Sequence, residues 1–479
     1  MTALIDWSYD LLTAREQEVF EELSVFAGGC TLESAIAVCA RENEDDIDAL
    51  GLIGSLVMKS LLVAELVGSE QRYHLLESSR QYARDKLIAR GGQERVARRH
   101  ALICLDLAER FDRAWDTTRE PAWLSRAKPE LENWRAALEW SFASRGDIIA
   151  GQRLAAGLRH VWRGFTLAEG QHWLRTALDV VDEVTPPDLV ARLEYADAAR
   201  AAQFGERNVS LAAAERALAR YQELGDVLGV ANAQHLAGSS LAYLGRSVEA
   251  EALLIEALAA ARSLGNRRLE ADVLQKIAWA RSAVGDFAGA RAYLTEALVL
   301  ARVLGAESFA ASVAISLAEN EFDADDPETA LRLTVDLLAT PALDSQSLAC
   351  GFVNMAAYLI ALRQYDKARA RATEGLERAY GLRMVALVAI SVQRLALVAV
   401  LRPQAEGRRN STGAARLLGF VEARRAELGI SQDHGLRHEY DRALIVLRDS
   451  IGADELMDLM AAGATMSEDE AITQARALG

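Results

Sequence analysis

The strongest pattern in the chain is a repeat of small and apolar positions with a period of forty residues. Ala-Leu recurs at Ala177-Leu178, Ala217-Leu218, Ala257-Leu258 and Ala297-Leu298, and Leu-Gly at Leu224-Gly225, Leu264-Gly265 and Leu304-Gly305. Two registers kept together at one spacing predict stacked copies of a single supersecondary unit. Within a unit, Gly285-Asp286-Phe287 leads to Ala290, Leu294 and Ala297, and one period earlier Gly245-Arg246-Ser247 leads to Ala250, Leu254 and Ala257. Ala290 and Ala297 are seven apart and share one helix face, where small side chains let an antiparallel partner approach while Phe287 and Leu294 fill the gap. Gly238 and Ala278 serve the facing helix in the same way. The register weakens at residues 326–330, resumes near 364–368 and fades after Pro403, where a final helical pair from about residue 412 reads as a cap.

The first ninety residues follow a different plan. Thr13 with Glu16 forms a capping box that opens a helix to about Phe26, Gly28-Gly29 ends it, and Thr31 starts a second. A third helix is expected from about Asp46 to Met58. The runs 61–63 and 72–75, with Gly68-Ser69 between them, read as a hairpin, followed by a helix from Ser78. Three helices and a hairpin describe a winged helix.

The forty-residue unit resembles the tetratricopeptide (TPR) repeat, lengthened by about six residues from the usual 34, with Gly265 or Gly305 where a terminal proline is customary. The expected fold is mainly α: an N-terminal winged helix over residues 1–92, a helical connector over 93–150, a TPR-like α-solenoid of antiparallel helix pairs over 151–402, and a C-terminal helical repeat and cap over 403–479.

Composition agrees and narrows the function. Only seven prolines and 51% hydrophobic residues favour helices in a globular chain, and 53 basic against 69 acidic side chains, a net charge of −16, disfavour nucleic acid and anionic lipid. Residues 1–90 carry eight Lys or Arg against sixteen Asp or Glu, so the winged helix is not expected to read DNA. Cys30, Cys39, Cys104 and Cys350 form no paired spacing and read as buried thiols in a reducing compartment. No signal peptide opens the chain, and the apolar run 384–401 is broken by Gln393 and Arg394, so a buried helix and a cytoplasmic location are expected. The sequons at Asn208 and Asn410 are then chance matches.

Three segments carry a more specific likeness: residues 5–12 (Ile5-Asp6-Trp7-Ser8-Tyr9-Asp10-Leu11-Leu12), 23–29 (Leu23-Ser24-Val25-Phe26-Ala27-Gly28-Gly29) and 73–83 (beginning Tyr73-His74-Leu75-Leu76-Glu77-Ser78). They resemble the large ATP-binding LuxR-type and AfsR-like bacterial regulators, signal-transducing ATPases of the STAND class. Leu131-Glu132-Asn133-Trp134-Arg135-Ala136-Ala137-Leu138 is similar to that family's connecting helix. The resemblance implies a winged helix that packs on a nucleotide-binding module and hands over to a TPR sensor arm. The phosphate-cradling motif is missing: of five lysines only Lys59 precedes Ser or Thr, and Met58, not glycine, stands before it. The chain is therefore expected to lack the ATPase module and the family's usual DNA-binding domain.

By the same resemblance the first helix of each repeat lines a groove, which places Tyr195, Asn232, His235, Ser239, Asp272, Gln275, Trp279 and Glu319 there. Arg95, Arg98 and Arg99, beside Arg90 and His100, are candidates for contacts between modules. No cofactor, metal or catalytic constellation is expected. His434 and His438 have helical ligand spacing but enclose Gly435, Asp323-Ala324-Asp325-Asp326-Pro327 puts proline where a calcium ligand belongs, and Gly238-Ser239-Ser240-Leu241-Ala242 is no nucleophile elbow. The expected function is a non-catalytic sensor arm of an ATPase-type transcriptional regulator, taking a protein, peptide or small-molecule effector in the groove, with an ATPase module on the same or another chain. A chain starting at the module boundary, Met1, leaves a stand-alone TPR adaptor or scaffold open as the alternative.

Overall fold

The computed structural model describes residues 2–41, 45–68, 70–143, 146–340, 343–403, 407–428 and 435–478. It is mainly helical and divides into two compact units, residues 1–240 and 241–479.

The first unit opens with α1 (Thr2–Asp10), α2 (Ala14–Glu22), β1 (Cys30–Thr31), α3 (Leu32–Cys39), α4 (Asp46–Met58), β2 (Val63–Val67), β3 (Glu70–His74) and α5 (Glu77–Ala89). The strands form an antiparallel sheet in the order β1-β3-β2, with Val63 opposite His74 and Cys30 opposite Tyr73. Local chemistry sets the helix starts. The Thr13 hydroxyl accepts from Glu16 N at 3.3 Å and the Glu16 carboxylate accepts from Thr13 N at 2.8 Å, while Asp45 takes the free amides of Ile47 and Asp48.

Several details differ from the sequence expectation. The helix opened by Thr13 stops at Glu22 and tightens into one 3-10 turn, Leu23–Val25, because Ser24 Oγ donates to the Glu21 carbonyl at 2.6 Å and competes with the helix ladder. The hairpin starts at Val63 rather than Leu61, since the amides of Leu61 and Leu62 turn back to the Leu56 carbonyl and close α4. Neither α1 nor β1 was expected. Tyr9, Phe20, Phe26, Ile53, Leu56 and Leu87 make the core of this module.

The unit continues through α6 (Gln93–Ala114), α7 (Glu120–Ala127), α8 (Leu131–Ser141), α9 (Ile148–Gly157), α10 (Arg159–Phe165), α11 (Leu167–Asp179), α12 (Pro187–Gln203) and α13 (Arg207–Leu224); the division into units falls within α14 (Val227–Tyr243). Trp115, Trp123, Trp134, Trp162, Leu154 and Leu193 form a second core here.

The other unit comprises α15 (Ser247–Leu264), α16 (Arg267–Ala283), α17 (Phe287–Val303), α18 (Glu307–Asp323), α19 (Pro327–Leu338), α20 (Ser345–Ala361), α21 (Tyr365–Gly381), α22 (Val385–Leu401), α23 (Gly407–Leu428), α24 (Arg437–Ile451), α25 (Ala453–Ala464) and α26 (Glu468–Ala477). Helices α12, α14, α16 and α18 begin at 187, 227, 267 and 307, on the forty-residue register. Ala250, Ala257, Ala290 and Ala297 are fully buried where paired helices touch. The weakening of the register expected at 326–330 sets in just after those residues. Helix α19 begins on schedule, Asp326 capping it through Thr329 N at 3.0 Å, but it is five residues shorter than α17, and α20 starts two residues early.

The C-terminal region is larger than one helical pair. Four helices are present, and α23 packs against α24, α25 and α26 while α26 also meets α22. The long α23 offers an apolar face that the shorter α24, α25 and α26 cover by packing on it. α22 is the buried helix expected from the apolar run, and Arg394 within it is 1% exposed. Cys30, Cys39 and Cys104 are buried thiols, but Cys350 is only partly covered. No helix among the described residues is long and apolar enough to cross a membrane.

Candidate functional site

In the second unit a cavity of about 730 Å³ opens between the first helices of successive pairs, with Tyr243 of α14, Trp279 of α16, Glu319, Asn320 and Asp323 of α18, Asn354 and Tyr358 of α20 and Arg394 of α22 around it. The alternation that builds a helix pair decides this: second helices take the opposite layer, so lining residues recur at roughly forty-residue intervals, as Trp279 and Glu319 do.

Hydrogen bonds hold the lining in place. Trp279 Nε1 donates to Ser316 Oγ at 3.1 Å, Gln275 Nε2 donates to the same oxygen at 3.2 Å and to Ser312 Oγ at 3.1 Å, and the Lys276 ammonium lies 3.6 Å from the Trp279 ring centre. Tyr243 meets Trp279 edge-on at 5.2 Å. Ser282 Oγ donates to Asn320 Oδ1 at 2.6 Å, Asn320 Nδ2 to the Phe287 carbonyl at 3.1 Å, and Asn354 Nδ2 to Glu319 Oε1 at 2.8 Å. Arg394 donates to Gln393 Oε1 at 2.8 Å, which orients a buried guanidinium at the groove. Burial and the charges of Glu319 and Asp344 push the nearby Cys350 thiol up to about 11, so it is a neutral group at pH 7.

The residues expected in a groove do not all meet. Trp279 and Glu319 line this cavity; Asp272 lies half-buried on the same helix as Trp279, and Gln275 is buried as a positioning group for Ser312 and Ser316. Tyr195, Asn232, His235 and Ser239 belong to the first unit. There Tyr195, Asn232 and His235 are half-buried, Ser239 is 6% exposed, and the Arg159 guanidinium lies 5.5 Å from the Tyr195 ring. Asn320, Asn354, Tyr358 and Arg394 were missed. Stepping by forty from Trp279 would have reached Glu319 and, after the two-residue slip, Ala357 beside Tyr358, one turn from Asn354.

A second arrangement ties the N-terminal module to the connector. Arg72 of β3 and Glu130, both nearly fully buried, form an ion pair, and Arg72 also donates to the Gly29 carbonyl at 3.1 Å. Asn133 Nδ2 donates to Glu130 Oε2 and to the Gly29 carbonyl, each at 2.8 Å, and Trp134 Nε1 donates to the Cys104 carbonyl at 3.1 Å. Asn133 and Trp134 sit in the segment 131–138 singled out in the sequence. On α6, Arg95 pairs with Glu22 at 2.8 Å and Arg99 donates to the Val38 carbonyl at 3.1 Å, while Arg98 is exposed. Burial pushes the Glu22 carboxyl above the usual range against the pull of Arg95, and burial lowers His100, packed against Phe26 and Cys104, to about 4.

Among the described residues no cluster of His, Cys, Asp and Glu could hold a metal. His434, half of the tempting histidine pair, lies outside the described residues. The start of α4 presents Asp45, Asp46 and Asp48, a poor surface for a phosphate backbone.

Residues 229–302 match the family model of the tetratricopeptide repeat. A protein of Mycobacterium tuberculosis with the provisional name HTH-type transcriptional regulator is 32% identical over 258 residues, 51% of this chain but 28% of that protein, and its Mycobacterium bovis counterpart matches equally. The chain thus aligns with under a third of the length of those relatives. A further M. tuberculosis protein, uncharacterized, is 37% identical over 101 residues, 21% of this chain and 26% of its own. Among solved structures, a STAND protein with a tetratricopeptide repeat sensor from Pyrococcus horikoshii aligns over 94% of this chain and 66% of its own, with 16% identity and a TM-score of 0.44. A Rap protein complexed with competence and sporulation factor aligns over 75% and 99%, with 14% identity and a TM-score of 0.48. Neither likeness is close enough to transfer a function.

Proposed function

We propose that this chain is the non-catalytic sensor portion of a transcriptional regulator of the STAND type and takes a short peptide, or an extended segment of a protein, in the groove of its second unit. The N-terminal module is read as a winged helix, residues 93–150 as its connector and residues 151–402 as the TPR arm. The groove carries the reading. Its volume of about 730 Å³ falls within the roughly 300–1,000 Å³ typical of specific ligand sites, and it combines a fixed aromatic face, Trp279, with amides and charges of both signs, Asn354, Glu319 and Arg394. Such a lining suits a peptide backbone and a few side chains better than a reaction, since it holds no nucleophile poised beside a base.

Support for the regulatory setting comes from the mycobacterial relatives named as HTH-type regulators and from the buried link through Arg72, Glu130 and Asn133. A link of that kind would transmit groove occupancy as a change in the balance between two states only if the effector binds them unequally.

The test is selection of peptides from a random displayed library on the purified chain, followed by titration of the enriched sequences. Trp279→Ala with Asn354→Ala should weaken binding roughly 10- to 100-fold, as expected when a central aromatic anchor is removed. Equal affinity of the double variant and the native chain, or the absence of any enriched sequence, refutes the groove reading.

A further inference from the structure

A separate cluster of charged side chains lies in the first unit. Where α6, α9, α10 and α12 meet, three guanidiniums converge on two carboxylates. Arg153 donates to Glu109 Oε1 at 2.6 Å, Arg159 NH1 lies 2.6 Å from Asp112 Oδ1, and Arg192 stands between the two acids, 3.9 Å from Glu109 and 3.8 Å from Asp112. Arg113 reaches Glu109 at 4.0 Å, and His160 lies 3.9 Å from Asp112 with its ring stacked 4.4 Å from Trp115. Arg163 covers Trp115 at 4.9 Å.

Two features separate this from an ordinary ion-pair network. The first is balance: four guanidiniums, Arg113, Arg153, Arg159 and Arg192, share the two carboxylates Glu109 and Asp112, in a chain with sixteen more acidic than basic side chains. The second is unused donors. At 3.8–3.9 Å Arg192 feels both carboxylates yet is beyond hydrogen-bond distance of either, and Arg159 Nε is buried with no hydrogen-bond partner among the described residues. A half-buried guanidinium fork with spare N–H groups and a second one beside it is the arrangement that recognises an oxyanion in bidentate fashion. Arg192 also occupies, forty and eighty residues earlier, the register of Asn232 and Asp272, so the repeat places the three on the same face of their helices.

We propose that Arg192 and Arg159, supported by Arg153, bind a ligand bearing a multiply charged oxyanion, a phosphate ester or a polycarboxylate. The proposal does not depend on the peptide groove of the second unit.

The experiment is isothermal titration of the full chain at low ionic strength, where such pairs are least screened, with inorganic pyrophosphate in one arm and citrate in the other. Saturable one-to-one binding is expected in at least one arm, weakened tenfold or more in Arg192→Gln and in Arg153→Gln. The exposed Arg175→Gln should bind as the native chain does. Binding of pyrophosphate alone assigns phosphate chemistry, binding of citrate alone assigns carboxylate chemistry, and binding of both assigns a site that reads charge. Arg192 is partly exposed, so its variant should keep the native melting curve, and Arg153→Gln provides a second reading if it does not. No saturable binding in either arm, or equal binding by the native chain and folded Arg192→Gln and Arg153→Gln, overturns the proposal.

Discussion

The turns of the repeat offer a prediction whose sign reverses along the chain. Left-handed residues recur every twenty positions, at Gly205, Gly225, Gly245, Gly265, Gly285, Gly305 and Asp325, and then, after the short α19, at Arg363 and Arg383. At Gly265, φ is 66° and no atom lies within 4 Å of where a Cβ would stand, so Gly265→Ala meets no steric obstacle and costs only conformational energy. An L-residue in this region is disfavoured by roughly 1–2 kcal/mol. Part of that, about 0.4–1 kcal/mol, is returned because alanine restricts the unfolded chain. The net expectation is a loss of about 0.5–1 kcal/mol. Arg363 and Arg383, each at φ 56° and exposed, already carry this cost, so Arg363→Gly and Arg383→Gly should each stabilise by about the same amount. Asp325→Gly should gain less, since aspartate tolerates the left-handed region better than arginine. Scanning calorimetry with urea denaturation at a fixed pH measures all four. Destabilisation by both arginine-to-glycine changes, or a Gly265→Ala variant as stable as the native chain, would show that the turns are not governed by backbone conformation.

Three further outcomes are expected. Glu130→Ala leaves the Arg72 guanidinium buried without its partner and should cost about 3–5 kcal/mol, read as a lower urea midpoint; a loss below about 1 kcal/mol would mean the link between module and connector is not held by this pair. Ala297→Phe places a ring where a fully buried methyl group now sits and should destabilise by about 1–3 kcal/mol, whereas unchanged melting would contradict the helix pairing. His100 titrates near 4 in the folded chain against 6.5 when free, because burial disfavours its charged form. The unfolded chain therefore takes up a proton first as pH falls, and stability is lost across the window from 6.5 down to about 4, by about 2 kcal/mol between pH 7 and 5. His100→Gln should remove that part of the pH slope, and an unaltered slope would assign it to other groups.

Short-range physics encodes one part of this architecture. The forty-residue spacing of Ala257 and Ala297, the capping box at Thr13, the aspartate cap at Asp45 and the bounds of α4 all follow from residues within a turn or two of one another. The helices and hairpin of the first ninety residues were legible from caps, glycines and alternation, whereas groove positions carried over from the repeat pattern reached the cavity at Trp279 and Glu319 but not at Asp272. The other part comes from contacts between residues remote in the chain. Arg72 and Glu130 are 58 residues apart, Arg192 lies 80 or more from the carboxylates it faces, and Asn354 and Arg394 enter the groove from different repeats. Each of these side chains is locally an ordinary polar residue on a strand or helix. Only when distant helices pack does burial raise the cost of leaving it unpaired, and that cost, set by neighbours remote in the chain, leaves no periodic mark in the sequence.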